Sequence, residues 1–291
     1  MTYQEILKEA ENRLNKAGIE EYKANAWLLF SSIFKMDRLE FMMACLDYAD
    51  DEGSESSFAN LNEAIDKRIA GVPVQYISNE QSFYGYDFYV DERVLIPRQD
   101  TEIVVETIIN TLQAYMLKNN LTKLNKLLDV CTGSGCIAIT LANELPIDEV
   151  YASDVSSDAL EVAAINGKRL NTNVKWILSD CFNNLGELKN SLDVIVSNPP
   201  YIETEVINSL EPDVKDHEPM LALDGSLDGL KFYRLITAEA KDYLKAGGYL
   251  FYEIGYNQGK AVYSIMKDNG FKDVQVAKDL AGLDRVCYGH L

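Results

Sequence analysis

From Thr101 onward the sequence alternates two kinds of segment, and that alternation restricts the fold more than any other feature. Short runs rich in β-branched and aromatic residues, "KLLDVC", "EVYASD", "VKWILSD", "LDVIVSN" and "GGYLFYEIG", are separated mostly by amphipathic stretches such as "SSDALEVAAINGKRL" and "GLKFYRLITAEAKDYLKA". Strands that alternate with helices form a parallel sheet covered by helices on its faces. The final runs, "FKDVQVAKD" and "DRVCYGH", are only a few residues apart, too close for a helical crossover. They predict an antiparallel hairpin closing an α/β, doubly wound sheet.

The segments before Thr101 have a different character. Ile6, Leu7, Ala10 and Leu14 recur at helical spacing, as do Trp27, Leu28, Phe30, Ile33 and Phe34. "DDEGSESSFANL" predicts a break, with Ser56 or Ser57 capping a helix that ends near Ala70. Residues 1–70 therefore read as a small all-helical recognition module without catalytic chemistry. Residues 71–97, with the run "VQYISNEQSFYGYDFYVDERVLIP" and its Tyr-Gly turn, read as a β-hairpin linker. Residues 98–291 then form the catalytic domain.

The run "IVSN" enters Asn198-Pro199-Pro200-Tyr201. Two prolines cannot donate to a strand ladder, so this strand ends there. The first strand runs into Cys131-Thr132-Gly133-Ser134-Gly135, whose glycines allow a tight turn and leave room for a ligand at the sheet's carboxyl edge. Asp129, Asp154 and Asp180 each fall at or near a strand end, 25 and 26 residues apart, one strand-helix-strand passage each time. Parallel strands bring such ends together where this architecture binds ligands.

The chemistry of these groups is specific. A carboxylate after the second strand suits a ribose diol, and one after the third suits an exocyclic amine such as adenine's. One near the glycine turn can pair with a ligand ammonium. Together they describe S-adenosylmethionine better than a nicotinamide dinucleotide, although "GSGCIA" also satisfies the dinucleotide pattern. Asn198 offers an acceptor and a donor, the prolines offer carbonyls without competing N–H groups, and Tyr201 offers an aromatic wall. The result is an acceptor-rich slot for a planar –NH2 group. Hydrogen bonds to the Asn198 oxygen and the Pro199 carbonyl would favour a tetrahedral nitrogen whose lone pair can attack a sulfonium methyl.

Composition weighs against several alternatives. Five scattered cysteines without C-x-x-C and only two histidines, His217 and His290, make a zinc site or disulfide framework improbable, so no metal is expected. The formal charge of −19 opposes a nucleic-acid backbone as partner. An acidic "MTYQEILKEAENRL" followed by no apolar core is unlike a signal peptide, and no stretch is long enough to span a membrane. A cytoplasmic protein is expected, with no membrane partner.

The chain resembles the release-factor glutamine methyltransferases (HemK/PrmC type) over nearly its whole length. The resemblance lies in "GVPVQYI", "FYGYDFYVDERVLIPRQDTE", "LLDVCTGSGCIAI", "SNPPYI", "HEPMLALDGSLDGLKFYR" and "GGYLFYEIG". It implies a class I (Rossmann-like) methyltransferase sheet behind a helical N-terminal domain. The implied reaction is methylation of the side-chain amide of the glutamine in the Gly-Gly-Gln motif of peptide-chain release factors; separately, a monomer is expected. Carried over by motif, Cys131 to Gly135, Asp154 and Asp180-Cys181 hold S-adenosylmethionine, Asn198 to Tyr201 hold the glutamine, and Pro97 and Arg98 help close the pocket. Two positions depart from the family pattern: many members have glycine at the place of Cys131, and tryptophan is frequent at the place of Cys181.

Three rivals follow from the same residues. A nucleic-acid adenine methyltransferase would use the same slot but need a basic recognition domain. A nicotinamide-dependent oxidoreductase would leave the Asn-Pro-Pro-Tyr slot without a purpose, and a non-catalytic cofactor-binding protein would not need the slot intact.

Overall fold

The computed structural model describes residues 1–49 and 54–291, and their contacts divide into two compact units. The first holds residues 1–80 and 211–217. Its helices are α1 (Tyr3–Lys16), α2 (Tyr22–Phe34), α3 (Arg38–Ala44), α4 (Ser54–Ile69) and α5 (Val74–Ser78). The predicted stripes supply its core: Ile6, Ala10 and Leu14 of α1 pack with Leu29, Phe30, Leu61 and Ile65. Thr2 caps α1, accepting from the Glu5 N–H while the Glu5 carboxylate accepts from the Thr2 N–H, a reciprocal pair that satisfies two otherwise orphaned donors. Helix α4 begins at Ser54, so Ser56 and Ser57 lie inside it rather than capping it. Residues 50–53 of the expected break lie outside the described residues.

The run read as a hairpin is partly helical. Pro73 precedes one helical turn, α5, whose Val74 and Ile77, three residues apart, join the helical core. Only then do the strands follow, β1 (Gln81–Phe83) and β2 (Tyr86–Phe88), antiparallel around Tyr84-Gly85. Alternation alone does not separate a five-residue strand from a helical turn with an apolar i, i+3 pair.

The second unit, residues 81–210 and 218–291, begins with this hairpin and continues into α6 (Gln99–Lys118). Its sheet contains β3 (Leu124–Val130), β4 (Ile147–Asp154), β5 (Val174–Leu178), β6 (Leu192–Ser197), β7 (Leu244–Glu253), β8 (Lys272–Lys278) and β9 (Asp284–His290). The order is β5-β4-β3-β6-β7-β9-β8, parallel except for β9, which runs antiparallel to both of its neighbours. Helices α7 (Cys136–Glu144), α8 (Ser157–Arg169), α12 (Lys231–Tyr243) and α13 (Gly259–Asp268) lie between strands. The single-turn helices α9 (Thr204–Ile207) and α11 (Met220–Leu223) follow β6, while α10 (Pro212–Lys215) belongs to the first unit, where Asp213 pairs with Arg68 at 2.7 Å.

Both faces of the sheet are buried, in two clusters. One joins α6 and α7 to residues such as Leu127, Val150, Val194 and Phe251; the other joins α12 and α13 to Leu128, Ile195, Leu250 and Tyr252. Consecutive residues of one strand, Leu127 and Leu128, thus serve opposite cores, which is why these strands read as continuous apolar runs. Each fully buried Leu, Ile or Phe contributes about 1.5–3 kcal/mol relative to exposure. Among the described residues no helix is long and apolar enough to cross a membrane.

Candidate active site

Strand β6 ends at Ser197, and Asn198 is the first residue beyond it. In the register, Val130 of β3 lies opposite Ser197 on one side and Ser153 of β4 on the other, so the chain leaves three adjacent strands at one level. Beyond that edge is a cavity of about 1020 Å³, including the space at its mouth. Its walls include Cys131, Thr132, Gly133, Ser134, Asp154, Asp180, Cys181, Asn198 and Pro200. Pro97 and Arg98 also line it, together with Val155, Ile137, Leu221 and Phe232. Asp129, Gly135, Pro199 and Tyr201 lie outside this wall.

The turn after β3 is built from within the chain. The Gly135 N–H donates to the Thr132 carbonyl at 2.9 Å, and the Gly133 N–H donates to Asp154 Oδ2 at 2.9 Å. Asp154 Oδ1 accepts from the Ser156 N–H at 3.0 Å. Burial raises the Asp154 pKa, partly offset by these N–H groups. The two glycines have different reasons for being glycine. At Gly133 a Cβ would meet nothing within 4 Å, whereas at Gly135 it would sit 3.0 Å from the Trp176 ring and 3.2 Å from Ala163. Gly133 leaves space on the cavity side; Gly135 admits a tryptophan from β5.

Asp129 lies beneath the turn, fully buried, where the Thr132 hydroxyl donates to its Oδ2 at 2.6 Å. Burial raises its pKa to about 7, opposed by Thr132 and by the Ala138 N–H in the first turn of α7. A carboxylate in that place disfavours a pyrophosphate at the same helix N-terminus, which a dinucleotide would require. A cationic ligand has no such conflict, so the donor set fits a sulfonium compound bearing an amine.

Cys131 and Cys181 both adopt left-handed backbone conformations, with φ of 64° and 46°. Burial pushes the Cys181 thiol up to about 12, so it presents a neutral surface to the cavity. Behind the Asn-Pro-Pro-Tyr segment, the Tyr201 hydroxyl donates to Glu253 Oε1 at 3.3 Å, and Glu253 is buried with its pKa raised by that burial. Arg98 pairs with Glu218, which precedes the cavity-lining Pro219. On α8, the buried Asn166 accepts from the Tyr89 N–H and donates to the Tyr89 and Ser134 carbonyls, tying the end of the hairpin to the glycine turn.

Sequence reasoning did not single out Phe232, Leu221, Glu218, Asn166 or Glu253. Leu221 falls within a stretch noted only for its resemblance and Phe232 within a segment read as an amphipathic helix, and no spacing rule marks either as a cavity residue. Among the described residues, no group of three or more His, Cys, Asp or Glu side chains is placed to hold a metal ion.

Comparison with known proteins supplies the family. A PrmC N-terminal domain profile matches residues 5–78, and a methyltransferase small domain profile matches residues 109–228. The release factor glutamine methyltransferase of Clostridium acetobutylicum is 39% identical over 288 residues, covering 98% of this chain and 97% of that protein. The chain belongs to the release factor glutamine methyltransferase family. The member from Moorella thermoacetica is also 39% identical, over 291 residues, with 98% and 97% of the two chains covered. Among solved structures, a 16S rRNA N2 G1207 methyltransferase from T. thermophilus shares the fold of this family member, with a TM-score of 0.51 at 16% identity over 72% of this chain and 49% of that one.

Proposed function

We propose that this protein transfers a methyl group from S-adenosylmethionine to the side-chain amide nitrogen of the glutamine in the Gly-Gly-Gln motif of peptide-chain release factors. The observation that carries the reading is the placement of Asn198 and Pro200 in the wall of one cavity with the glycine turn, Asp154 and Asp180. The cofactor supplies an electrophilic methyl on a sulfonium; everything else falls to residues of this chain.

Each Asp154 oxygen takes one backbone N–H and keeps a lone pair for a ribose hydroxyl. Asp180 is exposed and accepts the adenine amine, while Cys181, Val155 and Phe232 give the purine apolar surroundings. The turn from Cys131 to Gly135 bounds the methionine portion, and Asp129 supports that turn through Thr132. Asn198 and the Pro199 carbonyl receive the two N–H bonds of the target amide and favour its tetrahedral form. Pro200 stiffens the slot and Tyr201 backs it. No strong base is needed, because the nitrogen loses its proton after alkylation.

Release factors act in the cytoplasm, and that location is part of this proposal. A monomeric enzyme is part of the same proposal. The charge of −19 disfavours direct nucleic-acid binding. Recognition of the protein substrate is assigned to the helical unit, which carries its own profile match.

The test is peptide mass spectrometry of the Gly-Gly-Gln segment after incubation of enzyme, cofactor and a release factor from the same organism. One added methyl on that glutamine is the expected result. An unmodified segment, with cofactor demonstrably bound, would refute the reading and direct the search to adenine in nucleic acids.

A further inference from the structure

Gln258 lies just after β7, as the residue capping the start of α13, and is 8% exposed. Its side-chain amide is fully engaged. Oε1 accepts from the Gly255 N–H at 3.0 Å and lies 3.3 Å from the Tyr233 hydroxyl, whose one proton is shared with the Glu253 carbonyl at 2.9 Å. Nε2 donates to the Tyr201 carbonyl at 3.0 Å and to the Gly229 carbonyl at 3.3 Å. Chemistry fixes this orientation: turning the amide over would face two carbonyl oxygens with a third oxygen.

The Tyr201 backbone is enclosed on its other sides as well. A Cβ on Gly229 would fall 2.3 Å from the Tyr201 carbonyl oxygen, and one on Gly225 would fall 2.7 Å from Tyr201 Cα. The Ile202 N–H donates to the Leu223 carbonyl at 3.0 Å, and the Gly225 N–H donates to the Ile202 carbonyl at 2.8 Å. The Tyr201 hydroxyl is held by Glu253, five residues before Gln258. Both ends of Tyr201 are thus tied to residues 253–258, from the last residue of β7 to the cap of α13, and neither Glu253 nor Gln258 lines the cavity.

Between Asn198 and Tyr201 stand two prolines, each with φ fixed by its ring. Few free rotations separate an anchor at residue 201 from the amide at residue 198. We propose that Gln258 is a positioning residue for methyl transfer: by gripping the Tyr201 carbonyl it sets the angle at which Asn198 and the Pro199 carbonyl meet the target amide. The assignment rests on the reading of the cavity given above.

The test uses the full chain with Gln258→Leu, which removes the amide, and Gln258→Glu, which replaces a double donor with an acceptor. Amide exchange read by mass spectrometry should rise about tenfold or more in peptides covering residues 198–206 and stay unchanged in those covering residues 131–137. Cofactor affinity should remain within about threefold, while kcat per cofactor-binding site falls about a hundredfold, the scale of a small misplacement at a reacting centre. The Gln258→Glu enzyme should regain activity between about pH 8 and pH 6, because a buried acid that takes up a proton again has a donor for the Tyr201 carbonyl. Unchanged exchange over residues 198–206, or an unchanged kcat per binding site in an active preparation, would overturn the proposal. Should the wild type methylate no Gly-Gly-Gln glutamine, the functional reading fails by itself, and the exchange measurement still decides whether Gln258 holds residues 198–201 in place.

Discussion

Arg98 Nη2 lies 2.5 Å from Glu218 Oε1, and the two partners differ sharply in exposure: the Arg98 side chain is 40% accessible, the Glu218 side chain 2%. The arginine lines the cavity, and the glutamate adjoins the lining residue Pro219. Burial raises the Glu218 pKa, and Arg98 opposes the rise.

Replacing Arg98 by alanine leaves a buried carboxylate without its cation. The expected cost is about 1–2 kcal/mol near neutral pH, discounted for the exposure of the arginine. A folded-state pKa above the unfolded value means that stability is fullest below the unfolded value and is lost as pH rises through the folded one. The Arg98→Ala deficit should therefore shrink in acid, as Glu218 protonates, and urea titrations at several pH values would reveal it. A deficit independent of pH would separate Arg98 from Glu218.

Asn198→Ala removes an amide that supplies both a donor and an acceptor at the slot. Turnover is expected to fall by roughly two to three orders of magnitude, with cofactor affinity within a few-fold by calorimetry. Rates equal to wild type would contradict the slot mechanism.

The two turn glycines should separate affinity from stability. Gly133→Ala incurs only the left-handed backbone cost of about 1–2 kcal/mol, because its Cβ meets no protein atom. That Cβ occupies open space at a cavity-lining residue, so the cofactor dissociation constant should rise. Gly135→Ala forces Trp176 and Ala163 apart and should lower the melting temperature more than Gly133→Ala does. Thermal melts of the cofactor-free proteins, set beside calorimetric titrations, give both readouts.

Asp129 offers a second pH test. Its folded pKa of about 7 exceeds the ordinary carboxylate value, so wild-type stability declines as pH rises between the two. Glu218 and Glu253 are raised as well, and only a difference measurement isolates one group. Wild type should lose ground to Asp129→Asn progressively from about pH 4 to pH 7 in denaturant titrations; parallel curves would contradict the shift.

Cys131 stands at φ 64°, in the left-handed region that favours glycine. Cys131→Gly should change stability little, since relief of backbone strain offsets the greater freedom of glycine in the unfolded chain. Cys131→Val should cost about 2 kcal/mol or more, because a β-branched residue is worse in that conformation. Chemical denaturation of the two variants checks the contrast.

The sheet was legible because its central strands β3, β6 and β7 carry short apolar runs, and two prolines mark where β6 stops. Asp154, Asp180 and Asn198 were legible for a related reason: topology forces the carboxyl ends of adjacent parallel strands onto one edge. Asp129 was legible as a strand-end acid but not as a residue beneath the turn, since two residues of register separate floor from wall. Gln258, Glu218 and Asn166 carry no local signature. Their partners lie 57, 120 and 77 residues away, and only the folded chain brings them together. Helix α5 was missed because one helical turn and one short strand bury apolar residues at nearly the same intervals.

Strand β9 separates β7 from β8, although it is synthesised after both. In this sheet β8 has no neighbour but β9, so it cannot join by zipping onto what is already folded. Until residues 284–290 exist, β7 presents a bare polar edge next to the Glu253 that secures Tyr201. Assembly of the methyl-transfer slot is consequently a late event in the life of the chain. Any lesion that delays or removes β9 should abolish catalysis by way of β7, without altering a single residue of the cavity wall.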